Sequence, residues 1–288
     1  IAGGIGNDTI QMTAAATLTD AGFLNASSVE TLRLTGASTI TLGANAASTG
    51  IVNVITGNAA TSITNSNGVT LNVNAAALAN NIALTLVGSA ARVVTGLIGN
   101  VTASSLTGAL TVTTGDATDN SISITTGSAA TSITANGASD VVTVNATALA
   151  DNATLTLAGS AARTVTGLRG DLAASGVSGA LNATTVAVAS GLSIATGSGP
   201  NTITASALTA GQTLTLTGSS AATVALNAGN LSAGTYTGNL TVTGGTGANT
   251  ITVGNGTNTI TGGGGADVLT GGTGSDTFNF ASAVNLAA

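Results

Sequence analysis

Several residue types are missing from this 288-residue sequence or are scarce in it. It has no Cys, His, Trp or Lys and only one Pro, and charged residues make up 5% of the chain against about 25% in typical soluble proteins. Without His or Cys there is no Ser-His-Asp or Cys-His catalytic pair, no zinc site of the usual kind and no disulfide. Without Lys there is no Schiff-base or P-loop lysine. We therefore predict that the chain is not an enzyme.

Positive charge is also scarce. The net charge of −6 results from ten acidic residues and four arginines, so the chain lacks the clustered Lys and Arg of a nucleic-acid surface or a polybasic membrane patch. Polar residues interrupt every apolar stretch, and no run approaches the ~18 residues of a membrane span. We expect neither a nucleic-acid partner nor a membrane span. No signal peptide is visible at Ile1, and we interpret the chain as an internal piece of a longer protein.

Glycine and threonine are abundant, with 41 Gly and 54 Thr. Apolar residues alternate with Thr or Asn over short stretches, which is the period of a strand with one buried face. A strand with only one or two inward side chains cannot build a sandwich core, but copies stacked on one another can build a solenoid. The sequence predicts an all-β fold, a parallel β-solenoid (β-helix or β-roll) of short strands with Gly/Asn-rich turns.

Internal repeats organise the chain. Residues 75–110 align without gaps to 146–181 with 23 identities in 36 positions, and 207–231 is a weaker third copy. We predict degenerate solenoid repeats over 1–243, with long copies near 58–127, 128–196 and 197–243.

A nine-residue period begins at Gly244. The four units are GGTGANTIT, VGNGTNTIT, GGGGADVLT and GGTGSDTFN. Each is a glycine-rich turn, then Asn or Asp, then a short strand. The segment 3–10, GGIGNDTI, has the same form. We predict a nonapeptide β-roll over 244–279, with 280–288 starting a following segment.

The units at 262–270 and 271–279 fit the pattern G-G-x-G-x-D-x-U-x, in which U is a large apolar residue. They resemble the calcium-binding nonapeptide repeats of RTX proteins, which are parallel β-rolls of type I-secreted bacterial proteins. In that family the ions lie between stacked turns and are bound by backbone carbonyls and the aspartate. The resemblance implies Ca²⁺ as the cofactor and a set of metal-site residues, with Asn in place of Asp in two turns: Asp8, Asp267, Asp276, Asn249, Asn258, Gly262, Gly264 and Gly271.

A second resemblance covers more of the chain. Its Thr/Ala/Gly/Asn-rich repeats, its lack of Cys, the segment 28–34 (SVETLRL) and the terminal nonapeptides resemble calcium-dependent bacterial S-layer proteins and related surface proteins. This implies an extracellular or cell-surface location, type I secretion, and self-assembly with copies of itself into a lattice or fibre. A surface polysaccharide is a further candidate partner.

We therefore expect a structural, self-assembling extracellular surface protein stabilised by calcium. Two alternatives remain: the stalk of an RTX adhesin, including an ice-binding one, and the C-terminal roll of a secreted enzyme. Thr-x-Thr segments recur along the chain, but the variable spacing between strands predicts that their threonines do not align on one face.

The arginines at equivalent repeat positions, Arg92 and Arg163, are predicted to be solvated at corners of the solenoid. The alternative is that they form ion pairs with Asp119, Asp140 or Asp151 of neighbouring coils.

Overall fold

The computed structural model describes residues 1–117 and 121–280. The chain divides into two compact units, Ile1–Val144 and Asn145–Ala288. In each unit successive strands alternate between two parallel sheets, so that two strands make one coil of a solenoid. The predicted fold class, an all-β parallel solenoid, is confirmed. The prediction for 280–288 falls almost wholly on residues outside the described ranges.

In the first unit the odd-numbered strands form one sheet and the even-numbered strands the other. The strands are β1 (Thr9–Met12), β2 (Ala16–Leu18), β3 (Thr31–Leu34), β4 (Ser38–Leu42), β5 (Asn53–Ile55), β6 (Thr61–Asn65), β7 (Leu71–Asn74), β8 (Ala83–Val87), β9 (Arg92–Leu97), β10 (Asn100–Thr102), β11 (Leu110–Thr114), β12 (Ser121–Thr125), β13 (Thr131–Thr134) and β14 (Val141–Asn145).

The second unit is built in the same way. Its strands are β15 (Thr154–Gly159), β16 (Ala162–Leu168), β17 (Asp171–Val177), β18 (Leu181–Thr185), β19 (Leu192–Ala195), β20 (Asn201–Thr204), β21 (Thr213–Thr217), β22 (Ala222–Ala225), β23 (Asn230–Ser232), β24 (Leu240–Thr243), β25 (Thr250–Thr252), β26 (Thr259–Thr261), β27 (Val268–Thr270) and β28 (Thr277–Asn279).

Stacked strands remain aligned although the coils differ in length. Ala83 of β8 pairs with Asn100 of β10 across a short coil, whereas Ser38 of β4 pairs with Thr61 of β6 across a longer one. Gly/Asn-rich loops absorb the difference, while the strands keep the inward–outward alternation that burial of one face requires.

The core is a set of inward columns of Leu, Ile, Val and Ala. Ile40, Ile63 and Leu86 form one such column on β4, β6 and β8, and all three are fully buried. Burying a side chain of this size contributes about 1.5–3 kcal/mol. Two aromatic residues, Phe23 and Tyr236, are buried as well, but aliphatic side chains make up most of the core.

A short helix, α1 (Ala44–Thr49), interrupts the first unit after a 3-10 turn at Asp20–Phe23. The Asp20 carboxylate accepts the backbone N–H groups of Gly43, Asn45 and Ala46 at 2.7, 3.1 and 2.9 Å. Partial burial acts to raise the pKa of Asp20, but these donors outweigh it and hold the pKa below its ordinary value. The sequence showed no helical period here. The residue that accepts the first N–H groups of the helix, Asp20, lies a whole coil upstream, so no capping residue is visible next to the helix in the sequence.

None of the helices in the described part of the chain is long and apolar enough to cross a membrane.

Candidate calcium site

The nonapeptide segment winds with two units per coil. β25 pairs with β27, which places Thr250 opposite Val268, and β26 pairs with β28, which places Thr259 opposite Thr277. Each partner lies two nonapeptide units further along the chain. A given glycine-rich turn therefore stacks on the turn two units away, while the next unit lies on the other side of the coil.

This arrangement separates the two predicted aspartates. Asp267 stacks on Asn249, and its Oδ1 accepts the Asn249 backbone N–H at 2.9 Å. Asp276 stacks on Asn258, and its Oδ1 accepts the Asn258 backbone N–H at 3.2 Å and the Nδ2 group at 2.8 Å. The segment thus has two separate stacks of turns, each with one carboxylate and one carboxamide.

The first glycine of a strict unit makes room for the carboxylate of the aspartate later in the same unit. A Cβ atom on Gly262 would lie 2.4 Å from Oδ2 of Asp267, and one on Gly271 would lie 2.4 Å from Oδ2 of Asp276. In the turn at residues 3–8, a Cβ on Gly3 would lie 2.6 Å from Oδ2 of Asp8. The aspartate therefore folds back over its own turn, which explains why glycine occupies this position.

We expect the substitution Gly262→Ala to displace the Asp267 carboxylate from the Asn249 backbone N–H and to lower the free energy of unfolding by about 1–3 kcal/mol, the usual contribution of a hydrogen bond to a charged group. The matched control is Gly234→Ala, whose nearest new contact is Thr252 Cγ2 at 3.7 Å and whose effect should stay within about 0.5 kcal/mol. Urea denaturation measures both. Equal effects of the two substitutions would show that the carboxylate does not occupy the space above Gly262.

Comparison with protein-family models gives one match. Residues 243–278 match the RTX calcium-binding nonapeptide repeat, in four copies. These residues are RTX-type repeats. The RTX match accounts for 36 of the 288 residues, and the repeats are of a calcium-binding kind. No curated protein and no solved structure matches the chain.

Asn249 and Asn258 of the RTX-type repeats are buried and use their amides within the fold. Asn249 Nδ2 donates to the carbonyl oxygens of Asn227 and Gly229 at 3.2 and 2.6 Å, and Asn249 Oδ1 accepts the Gly245 N–H at 3.3 Å. An amide N–H group therefore links the side chain to carbonyls of a neighbouring coil without a cation. The prediction that Asn249 and Asn258 contribute oxygen ligands stays a prediction.

Asp8 lies in an RTX-like turn of the first unit. Its Oδ2 atom is buried and has no hydrogen-bond partner among the described residues, and its backbone N–H donates to Glu30 Oε2 at 2.9 Å. A buried carboxylate oxygen without a donor is costly unless a cation or water is bound there. Glu30 was not among the predicted site residues, because it lies in the next coil and outside the nonapeptide pattern.

Arg92 is buried, with 1% of its surface exposed, so the prediction of a solvated arginine is wrong. Its Nη1 donates to the Ala90 carbonyl at 2.6 Å, and its Nη2 donates to the carbonyls of Val87 and Asn65 at 2.8 and 3.2 Å. Burial lowers the pKa of Arg92 to about 10, which leaves the guanidinium protonated at neutral pH. One predicted partner, Asp119, lies outside the described residues.

Arg163 occupies the equivalent position in the second unit and is fully buried. Its Nη1 donates to the Ala161 carbonyl at 2.7 Å and its Nη2 to the Ala158 carbonyl at 2.6 Å. Another arginine, Arg169, lies near Asp151, with 3.7 Å between Nε and Oδ1. At Arg92 and Arg163 a guanidinium group of the protein is therefore the cation that binds several backbone carbonyls.

The donor set of the RTX-type turns fits calcium in type. Calcium binds six to eight oxygen atoms, including carboxylates and backbone carbonyls, and these turns offer only oxygen donors. Across residues 1–117 and 121–280 there is no cluster of three or more Asp, Glu, His or Cys residues. A bound ion would therefore have one carboxylate per stack and would take its remaining ligands from carbonyls and water.

Proposed function

We propose that this chain is a structural repeat region of an extracellular protein, stabilised by calcium and assembling with copies of itself into a lattice or filament. The observation that carries the proposal is the run of RTX-type repeats, in which two nonapeptides complete one coil and bring calcium-type turns into stacks. The combination of a β-solenoid fold with RTX-type repeats supports a structural role over a catalytic one.

In this proposal Asp267 and Asp276 are the carboxylate ligands of two calcium sites, and Asp8 is that of a third. The carbonyls of Gly262, Gly264 and Gly271 complete the sites, with Asn249 and Asn258 as their neutral members. Bound calcium supplies positive charge that holds carbonyl dipoles and carboxylates of stacked turns together. A site with a single carboxylate suits extracellular modules, which bind calcium with a Kd of about 10⁻⁴–10⁻³ M.

Assembly and an extracellular location are supported by composition and by architecture. A solenoid presents long, regular faces, and edge strands of parallel sheets offer unpaired N–H and C=O groups to another chain. The near absence of charge leaves little electrostatic repulsion between copies. The absence of cysteine suits a protein that does not depend on the redox state of its surroundings.

We expect the purified chain to form ordered arrays or fibres in millimolar calcium and to disperse when a chelator is added. Electron microscopy of negatively stained samples, together with sedimentation velocity on the same samples, measures both states. A monomer that persists at high concentration in calcium would overturn self-assembly while leaving calcium binding intact. Arrays that are identical with and without chelator would remove calcium from the assembly step.

A second candidate, the binding region of an adhesin, is favoured by one observation on the even-numbered strands of the second unit, where threonine side chains lie in register.

A further inference from the structure

Outward side chains on β18, β20, β22, β24, β26 and β28 form two parallel columns, which we call the threonine array. Nine of its twelve members are threonine, and the other three are Asn or Ala. The first column consists of Asn182, Thr202, Thr223, Thr241, Thr259 and Thr277, and the second of Thr184, Thr204, Ala225, Thr243, Thr261 and Asn279.

The register of the array corrects the expectation that unequal coils would scatter the threonines. Leu181 pairs with Asn201, Asn201 with Ala222 and Ala222 with Leu240, so successive coils of this sheet differ in length. No bulge interrupts the pairing from β18 to β28. The loops take up the differences, as they do elsewhere in the fold, and every threonine of the array stays on the outer face.

The surface of the array is uncharged and available to water. The six strands that carry it contain no Asp, Glu or Arg. Within the described residues, the hydroxyls of Thr202, Thr223 and Thr241 form no intramolecular hydrogen bond, so all three can bond to water. Threonine on a strand has restricted χ1 freedom, so its methyl and hydroxyl groups are held in place before anything binds, and little entropy is lost on binding.

The spacing of the array is two-dimensional and regular. Neighbouring strands lie about 4.8 Å apart, and alternate residues along one strand lie about 6.6 Å apart. These repeats are close to those of oxygen atoms on a prism face of crystalline ice. A rigid grid of hydroxyls at this spacing can take the place of a row of lattice waters, while the methyl groups fill the gaps between rows.

We propose that the threonine array is an ice-binding surface. A protein partner fits the face less well, because protein interfaces are anchored by aromatic residues and arginine in desolvated pockets, and the array has none of these apart from the neighbouring Phe278 of β28. The opposite sheet of the same unit does not repeat the pattern: its column through Thr215 runs over Ser193 and Ser232 and continues to the charged Asp171, whose Oδ1 accepts the Ser193 N–H at 2.8 Å.

The test is a measurement of thermal hysteresis and ice-crystal shape with the full chain in saturating calcium. We expect the wild-type chain to depress the freezing point below the melting point and to facet ice crystals. Thr241→Lys, at the centre of the array, should lose both effects, because a hydrated ammonium group breaks the grid. The matched control is Thr215→Lys, which changes an exposed threonine at the centre of the opposite sheet and should retain both effects.

Circular dichroism spectra and urea midpoints of the three proteins establish that each is folded, so that a loss of hysteresis reports on the surface. Absence of hysteresis in a folded wild-type chain would overturn the proposal, as would equal loss in the two lysine variants. A dimer that Thr241→Lys disrupts, in a wild-type chain without hysteresis, would also overturn it and assign the face to a second copy. Since calcium is saturating throughout, failure here is distinguishable from failure of the calcium proposal.

Discussion

Arg92→Leu is expected to lower the free energy of unfolding of the first unit by about 2–5 kcal/mol, because each buried carbonyl that loses its donor costs about 1–3 kcal/mol. The guanidinium makes short hydrogen bonds to Ala90 and Val87, and leucine can replace none of them. Arg92→Lys should give an intermediate loss, since an ammonium group keeps the charge but cannot span the same set of acceptors. Urea denaturation followed by circular dichroism measures the shift.

The control for this prediction is Arg33→Leu. Arg33 faces outward on β3 in the same unit. Its replacement by leucine therefore removes a charge without leaving buried carbonyl groups unpaired. Its effect should stay within about 0.5 kcal/mol. If the two leucine variants shift the urea midpoint equally, the guanidinium of Arg92 does not hold this corner together.

Removing calcium is expected to lower the stability of the RTX-type coils by about 2.7 kcal/mol per site when the starting concentration is 100-fold above Kd. The variants Asp267→Asn and Asp276→Asn should lose this calcium-dependent gain. Asparagine keeps an oxygen that accepts the backbone N–H of Asn249 or Asn258, so in chelator both variants should unfold near the wild-type midpoint. Thermal unfolding in chelator and in calcium at 100-fold above Kd, which is about 10–100 mM for a Kd of about 10⁻⁴–10⁻³ M, gives all of these values.

Asp171→Asn is the matched control for the calcium prediction. Asp171 lies in the second unit and also accepts a backbone N–H from a neighbouring coil, that of Ser193, but it lies outside the nonapeptides. Its asparagine variant should keep the full response to calcium. A response lost equally in Asp171→Asn and Asp267→Asn would mean that overall negative charge, and not the RTX-type turns, governs stability.

The fold class could be predicted from the sequence because three signals agree. Short alternating strands, glycine-rich corners and internal repeats all require stacking for burial. The length of a coil was not predictable in the same way. The long repeat that relates Arg92 to Arg163 advances the chain by seven strands, from β9 to β16, which is an odd number and therefore not a whole number of two-strand coils. The alignment of the threonines also depends on how the loops absorb their unequal lengths, which sequence spacing does not express.

The candidate site was predictable only in part. The pattern of glycines and aspartates predicts Asp267 and Asp276 as calcium ligands, and this stays a prediction. A nonapeptide period does not tell whether consecutive turns stack or alternate between sides of the coil. Burial of Arg92 was missed because arginine is ordinarily exposed, and its acceptors are backbone carbonyls, which every sequence has. Glu30 was missed because its contact with Asp8 joins residues one coil apart.

We propose that the RTX-type turns bind calcium through Asp267 and Asp276. Isothermal titration calorimetry of the full chain with calcium tests it most directly, with the double variant Asp267→Asn/Asp276→Asn titrated alongside. We predict a saturable binding heat for the wild-type chain and a reduced stoichiometry for the double variant. A wild-type chain with no saturable heat, or a double variant that binds as much calcium as the wild type, would show that these two aspartates do not bind calcium.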